Sequence, residues 1–164
     1  MNVWAGILGN HVIGPVFLED RLDAQAYLSL LRDQLPDLLE DIPLAEHVGM
    51  WFQHDGAPPH HARAVRAYLQ QEFPARFIAR AAPDVPVSWP PRSPDLTPLD
   101  FFLWGYVKDT VYASQPGSQA ELRQRIVEAC RSITPETLAR VRGAILHRAQ
   151  VCVAHDGRHF EHLL

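Results

Sequence analysis

Trp51-Phe52-Gln53-His54-Asp55-Gly56-Ala57-Pro58-Pro59-His60 is an apolar run that breaks into a turn. A second stretch, Trp89-Pro90-Pro91-Arg92-Ser93-Pro94-Asp95-Leu96-Thr97-Pro98-Leu99-Asp100, passes through prolines into a new apolar pattern. Each carries an aspartate where regular structure gives way to a proline-rich turn, a place where a fold can expose a group and still aim it. Residues 48–53 have strand length and end at Asp55-Gly56, so they read as a buried central strand. Thr97-Pro98-Leu99-Asp100 reads as a helix start, with Thr97 as the cap, Pro98 at the first helical position and Asp100 two residues further in.

Working outward, residues 3–8 and 11–18 flank Gly9-Asn10, the pattern of a β-hairpin. Asp23 is a candidate cap for a helix carrying Ala24, Tyr27, Leu28, Leu31 and Leu35 at helical spacing, which Pro36 should kink or divide. A helix over 61–73, a loop at 81–84 and a short strand over 85–89 fill the interval between the two aspartates. The helix opened by Thr97 should reach about residue 112, with Leu99, Phe102, Leu103, Tyr106 and Val107 as its core stripe. Ser118-Gln119-Ala120-Glu121 has the capping-box pattern, and Thr134-Pro135-Glu136 starts a last helix; residues 160–164 read as irregular. Trp51, Trp89 and Trp104 each sit in an apolar run and read as core. Strands alternating with helices predict an α/β chain with a mixed sheet. The chain reads as a single domain, with a core over about 1–113 and a helical part over about 114–164.

The 164 residues are 47% hydrophobic and 21% charged, ordinary globular composition. No apolar run approaches the length of a membrane span, and no secretory leader follows Met1, so the sequence predicts a soluble, non-secreted chain with no membrane partner. Cys130 and Cys152 lack a CxxC spacing and read as structural thiols. A net charge of −4 argues against bulk phosphate neutralisation as a binding mode. Basic residues thicken only locally, as Arg63, Arg66, Arg76, Arg80 and Arg92 and again over 123–148. No glycine-rich phosphate loop of standard spacing is present.

Two carboxylates converging from a strand end and a helix start are what two-metal phosphodiester chemistry needs, because Mg²⁺ and Mn²⁺ prefer hard oxygen ligands. On spacing alone Asp55 reads equally as the turn residue of an Asp-Gly pair. Asp100 on spacing alone is better explained by capping and the helix dipole. Asp95 reads as a turn or capping residue, or as the ligand in place of Asp100. Cys152, His155 and His159 could be written as a zinc set, but a lone set of this kind more often combines surface polarity with a core thiol. His60 beside the Asp55 turn and Arg92 in its exposed loop are the candidates for nucleic-acid contact.

Those two long stretches resemble the signature segments of mariner-superfamily transposases. The flanks agree: Val3-Trp4-Ala5-Gly6-Ile7 and Ile13-Gly14-Pro15 before, Phe101-Phe102-Leu103-Trp104-Gly105 after, and His159-Phe160-Glu161-His162-Leu163-Leu164 at the end. The resemblance implies a ribonuclease H-like mixed sheet flanked by helices, lacking the first, central strand, with extra C-terminal helices. It implies three acids that use Mg²⁺ or Mn²⁺ to cut transposon ends and join them to target DNA. The second acid falls on Asp55 and the third on Asp100, which makes these two the catalytic and metal-binding candidates. The interval between them is longer than the commonest mariner spacing, implying an insertion around residues 79–86.

The family's first acid lies on a strand upstream of the hairpin, and no segment of this sequence matches it; Glu19 and Asp20 fit no catalytic motif. The resemblance therefore implies the C-terminal part of a catalytic domain, inactive alone, with weakened metal binding. Its implied partners are transposon-end and target DNA and a second copy of the chain, and its implied location is the nucleus. Without the central strand, residues 3–8 and 48–53 must either pair directly or leave the chain marginal. Two other readings remain: a domesticated, non-catalytic nucleic-acid- or protein-binding module, and a different nuclease that takes its third acid from Glu19 or Asp20.

Overall fold

A computed structural model describes residues 1–18 and 22–164; Glu19 and Asp20 lie outside the described residues. The chain begins with β1 (Asn2–Leu8) and β2 (His11–Leu18). Two residues join them, which forces an antiparallel pair. Gly9 has φ of +56° at the first central position of that turn, the conformation that a primed hairpin turn requires and that glycine adopts without strain.

Two compact units follow from the chain path, the first Met1–Val3 with Phe17–Arg92, the second Trp4–Val16 with Ser93–Leu164. In the first unit, Asp23 caps α1 (Ala24–Ser29) by accepting a 2.9 Å bond from the Ala26 amide. The helix then widens into a π turn (Leu30–Gln34), closed by the Leu35 amide on the Leu30 carbonyl, before α2 (Leu35–Leu39). Pro36 explains the widening: its ring crowds the preceding turn and it has no amide to donate. Rather than ending the helix, the proline is absorbed. A short α3 (Leu44–His47) leads to β3 (Phe52–Gln53), then come α4 (Arg63–Glu72), β4 (Phe77–Arg80) and β5 (Val87–Trp89).

Strands β3, β4 and β5 form a parallel sheet in that order, with Phe52 opposite Phe77 and Ile78 opposite Val87. The α/β character and the mixture of strand directions follow the sequence pattern, but the strands form two small sheets. In the pairing order β1 lies beside β2 only and β3 beside β4 only, so the direct pairing of residues 3–8 with 48–53 is not what the described strands do.

Two further expectations are corrected here. The buried central strand over 48–53 shrinks to Phe52–Gln53, with Val48 67% and Trp51 52% exposed, so Trp51 is not a core residue. The central strand is instead β4, whose Phe77 and Ala79 are buried while Arg80 is exposed. This period-2 alternation is short, and arginines frame it. Burial of Tyr27, Leu30, Leu31, Val65 and Leu69 completes the core of the first unit.

In the second unit, a 3-10 turn (Pro94–Leu96) precedes a π turn (Leu99–Leu103), α5 (Trp104–Val111), α6 (Gln119–Arg131), α7 (Pro135–Ala154) and a final 3-10 turn (Glu161–Leu163) where irregular chain was expected. The caps of α6 and α7 are as the sequence predicts. Ser118 accepts from the Glu121 amide at 3.1 Å, and Thr134 accepts from the Thr137 amide at 3.3 Å. Glu121 reaches back one residue further than a capping box requires, taking the Gly117 amide at 2.7 Å. Leu103, Val107, Val111, Ile126, Leu138 and Phe160 are buried in this unit. Among the described residues no helix is long and apolar enough to cross a membrane.

Candidate functional site

Asp55 stands where β3 ends. The last ladder-like bond is the His54 amide on the Ile78 carbonyl at 3.1 Å; beyond it the chain turns through Gly56, Pro58 and Pro59. The turn brings His60 back onto Asp55, with His60 Nδ1 2.6 Å from Asp55 Oδ1. The Ala57 amide donates to the same oxygen at 3.1 Å. Asp55 is therefore both the turn residue that its Asp-Gly context suggests and an exposed carboxylate, 53% accessible in its side chain. The His60 bond, helped by the Ala57 amide, holds its carboxyl below the ordinary carboxylate range against the opposing effect of partial burial. It is an anion at any pH near neutral.

Behind it lies a cluster of rings. Tyr27 Oη and His54 Nδ1 are 3.1 Å apart, and the His54 and His60 rings stack at 5.0 Å with only 5° between their planes. Tyr27 lies 4.1 Å from the His60 ring. Burial, reinforced by the neighbouring His60, pushes the His54 pKa down to about 3, so His54 is neutral. Its Nε2 is buried and finds no partner among the described residues. Tyr27 sits on α1, far from the motif in sequence, and only its place in the helical stripe marked it as core. Nothing in the spacing announced its bond to His54.

The local basic surface is largely spent on structure. Arg66 pairs with Asp84 at 2.9 Å and donates to the His61 carbonyl. Arg76 donates to the Met50 carbonyl at 3.1 Å, and the Arg80 stem lies along Gly56. Arg92 is exposed and has φ of +56°, a left-handed conformation uncommon outside glycine.

Asp100 is exposed at the second position of the π turn. Thr97 stands at the predicted cap position, extended, with Pro98 as the first helical residue, but its side chain makes no capping bond: the hydroxyl donates instead to the Ser93 carbonyl at 3.4 Å. Main-chain amides of Asp100 and Phe101 both bond the Thr97 carbonyl, at 2.9 and 3.0 Å. Asp100 remains an acid in the first turn of its helix, where the helix dipole favours it. Asp95 is held differently. Its carbonyl accepts from Arg148 Nη1 at 3.1 Å, its carboxylate lies 3.7 Å from His159 Nδ1, and the Arg148 guanidinium sits 4.2 Å over the Phe101 ring. Asp95 thus anchors the C-terminal segment.

Among the described residues no group of three or more His, Cys, Asp or Glu side chains is placed to hold a metal. Cys152, His155 and His159 do not form one: His155 Nδ1 bonds the Val151 carbonyl of its own helix, and His159 faces Asp95. Asp55 nonetheless fits one ligand position of an oxygen-seeking divalent ion, being ionised, exposed and fixed in orientation.

The strand, turn and helix order that presents these aspartates is that of a ribonuclease H-like catalytic domain. The chain is 26% identical to the solved Mos1 transposase catalytic domain with raltegravir and magnesium, with a TM-score of 0.75 over 93% of this chain and 73% of that one. It matches the Mos1 mariner paired end complex with manganese at 26% identity and a TM-score of 0.74, over 93% of this chain and 43% of that one. The Mos1 strand transfer complex gives 26% identity and 0.72, over 93% and 42%. Among curated proteins, the Tc3 transposase of Caenorhabditis elegans is 28% identical over 138 residues, 83% of this chain. The chain spans 38% of that relative's length. No protein-family model matches. These likenesses bear out the resemblance read from the two motifs: the chain carries the fold of a mariner-superfamily transposase catalytic domain.

Proposed function

We propose that the chain is the acid-bearing part of a transposase catalytic domain that acts on DNA in the nucleus, with Asp55 and Asp100 as two of its metal-binding and catalytic acids. The observation that carries this reading is Asp55 itself: an ionised, exposed carboxylate at the end of a strand, inside a motif and a fold that both match mariner-type transposases. Mg²⁺ or Mn²⁺ bound there would supply the Lewis acidity that activates water and stabilises the leaving oxygen of a phosphodiester.

The protein's own part is to hold anionic oxygens in fixed places. Asp55 does so from the strand end, under two hydrogen bonds; Asp100 presents its carboxylate from the first turn of its helix. Arg92, exposed in its loop, and His60, through the Nε2 that its bond to Asp55 leaves, are candidates for contact with the DNA backbone. Residues 1–164 contain matches to two of the family's three acids, and a two-metal site short of a carboxylate loses ion positioning. The 164-residue chain therefore binds metal weakly and does not turn over by itself.

The chain is to be incubated with Mn²⁺ and supercoiled plasmid beside its Asp55→Ala and Asp100→Ala variants. No nicking is expected from any of the three; nicking that vanishes in the variants would overturn the inactivity. Mn²⁺ binding should fall in both variants, and unchanged binding in either removes that residue from the assignment.

A further inference from the structure

Asp55 uses its two oxygens unequally. The hydrogen bonds to the carboxylate among the described residues both fall on Oδ1, from His60 Nδ1 at 2.6 Å and from the Ala57 amide at 3.1 Å. Donors on one oxygen fix the plane of a carboxylate and occupy the lone pairs of that oxygen, so its twin is the one left to meet a cation.

His60 is no loose surface imidazole. Its side chain is only 16% exposed. Its ring packs against Tyr27, which is 1% exposed, and against His54, which is 7% exposed. The Tyr27–His54 hydrogen bond at 3.1 Å ties those two to each other. Oδ1 of Asp55 is therefore anchored through one imidazole to the buried core of α1. A hydrogen bond of 2.6 Å between an imidazole and an anion is a strong one. With Nδ1 spent in this way, the ring has only Nε2 left to offer a phosphate.

We propose that His60 is a positioning residue that restricts Asp55 to one-oxygen coordination of a divalent cation through Oδ2, with Tyr27 and His54 fixing the imidazole ring. This rests on the reading of Asp55 as a metal ligand. The partners that orient a metal ligand commonly matter to affinity nearly as much as the ligand does.

The test is Mn²⁺ titration of the full chain, following the free-ion electron paramagnetic resonance signal, for the wild type, His60→Ala, His60→Asn and Asp55→Ala. An asparagine amide can donate from nearly the position of the imidazole Nδ1, but it lacks the ring. Affinity should drop about ten- to hundredfold in His60→Ala and stay within about threefold of wild type in His60→Asn. In metal-free protein, exchange of the Ala57 amide should quicken in His60→Ala and not in His60→Asn. Near-ultraviolet circular dichroism checks that each variant is folded. If His60→Ala does not fold, His60→Phe keeps the ring without the donor and carries the same expectation. Folded His60→Ala that binds Mn²⁺ like the wild type, while Asp55→Ala has lost binding, overturns the positioning role and leaves the Asp55 assignment standing. An equal drop in His60→Asn and His60→Ala also overturns it, since packing and not the bond would then be at work. Unchanged binding in Asp55→Ala overturns both.

Discussion

Asp55 is held by residues two and five positions further along the chain, whereas the turn that carries Asp100 is braced by Arg148, 53 positions from the carbonyl it grips. The first acid is a local construction on a buried base. The second stands on a π turn that is gripped through Phe101 within it and Asp95 before it, both of which meet the same guanidinium. Two aspartates of one motif class can thus depend on very different lengths of sequence, and damage to each should arise from different places.

The largest effect should come from acid. The His54 pKa is lowered from 6.5 to about 3 on folding. The unfolded chain therefore takes up a proton that the folded chain refuses. The resulting stability is fully present above pH 6.5 and drains as the pH falls towards 3, by up to about 5 kcal/mol. Urea unfolding at pH 7, 5 and 4 with chelator present should show this loss, and His54→Asn should flatten it; parallel curves would show that the base under Asp55 is not a neutral, buried one.

Next comes the brace on the other acid. Arg148→Ala removes a charged donor from the Asp95 carbonyl and a cation from the Phe101 ring, and should cost about 2 kcal/mol in the same assay. Arg148→Lys should recover only part, because an ammonium cannot stack as a guanidinium does. A neutral Arg148→Ala would mean that the turn at Asp100 is as self-sufficient as the one at Asp55.

Gly56→Ala is expected to cost about 1 kcal/mol, since the added Cβ would lie 3.2 Å from Arg80 Cδ and 3.3 Å from its Cβ. Arg80→Ala in the same chain removes the Cδ but keeps the Cβ, so it should relieve only part of that clash, a coupling read directly from a double-mutant cycle. The smallest effect is at Thr97. A helix cap there would be worth about 1 kcal/mol, but its hydroxyl makes only a long 3.4 Å bond, so Thr97→Val should stay within about 0.5 kcal/mol of wild type.

What the sequence made legible was local in the same sense as the Asp55 turn. The Gly9 hairpin, the caps at Asp23, Ser118 and Thr134, and helix α4 each follow from residues within a few positions of one another. Residues 48–53 misled because an apolar run records composition and not burial, and Val48 and Trp51 turn outward. β4 escaped notice because only four residues carry its alternation. Thr97 and Pro98 mark the helix start but do not reveal that its first turn is a π turn. At the candidate site, the motif marked Asp55, Asp100 and His60. It did not reveal that Tyr27, 27 positions before His54, closes the ring cluster behind Asp55 and His60.

The π turn at Leu99–Leu103 has a consequence for descent as well as for shape. Such a turn is an α-helix that has taken in one extra residue without unwinding its neighbours. One residue added to an ordinary helix swings everything downstream by about 100°. Here the wide loop of backbone swallows that swing, and Leu103, Val107 and Val111 stay on the buried side. A lineage could therefore lose or gain a residue beside Asp100, moving the carboxylate by a helical step, while the hydrophobic face behind it keeps its register.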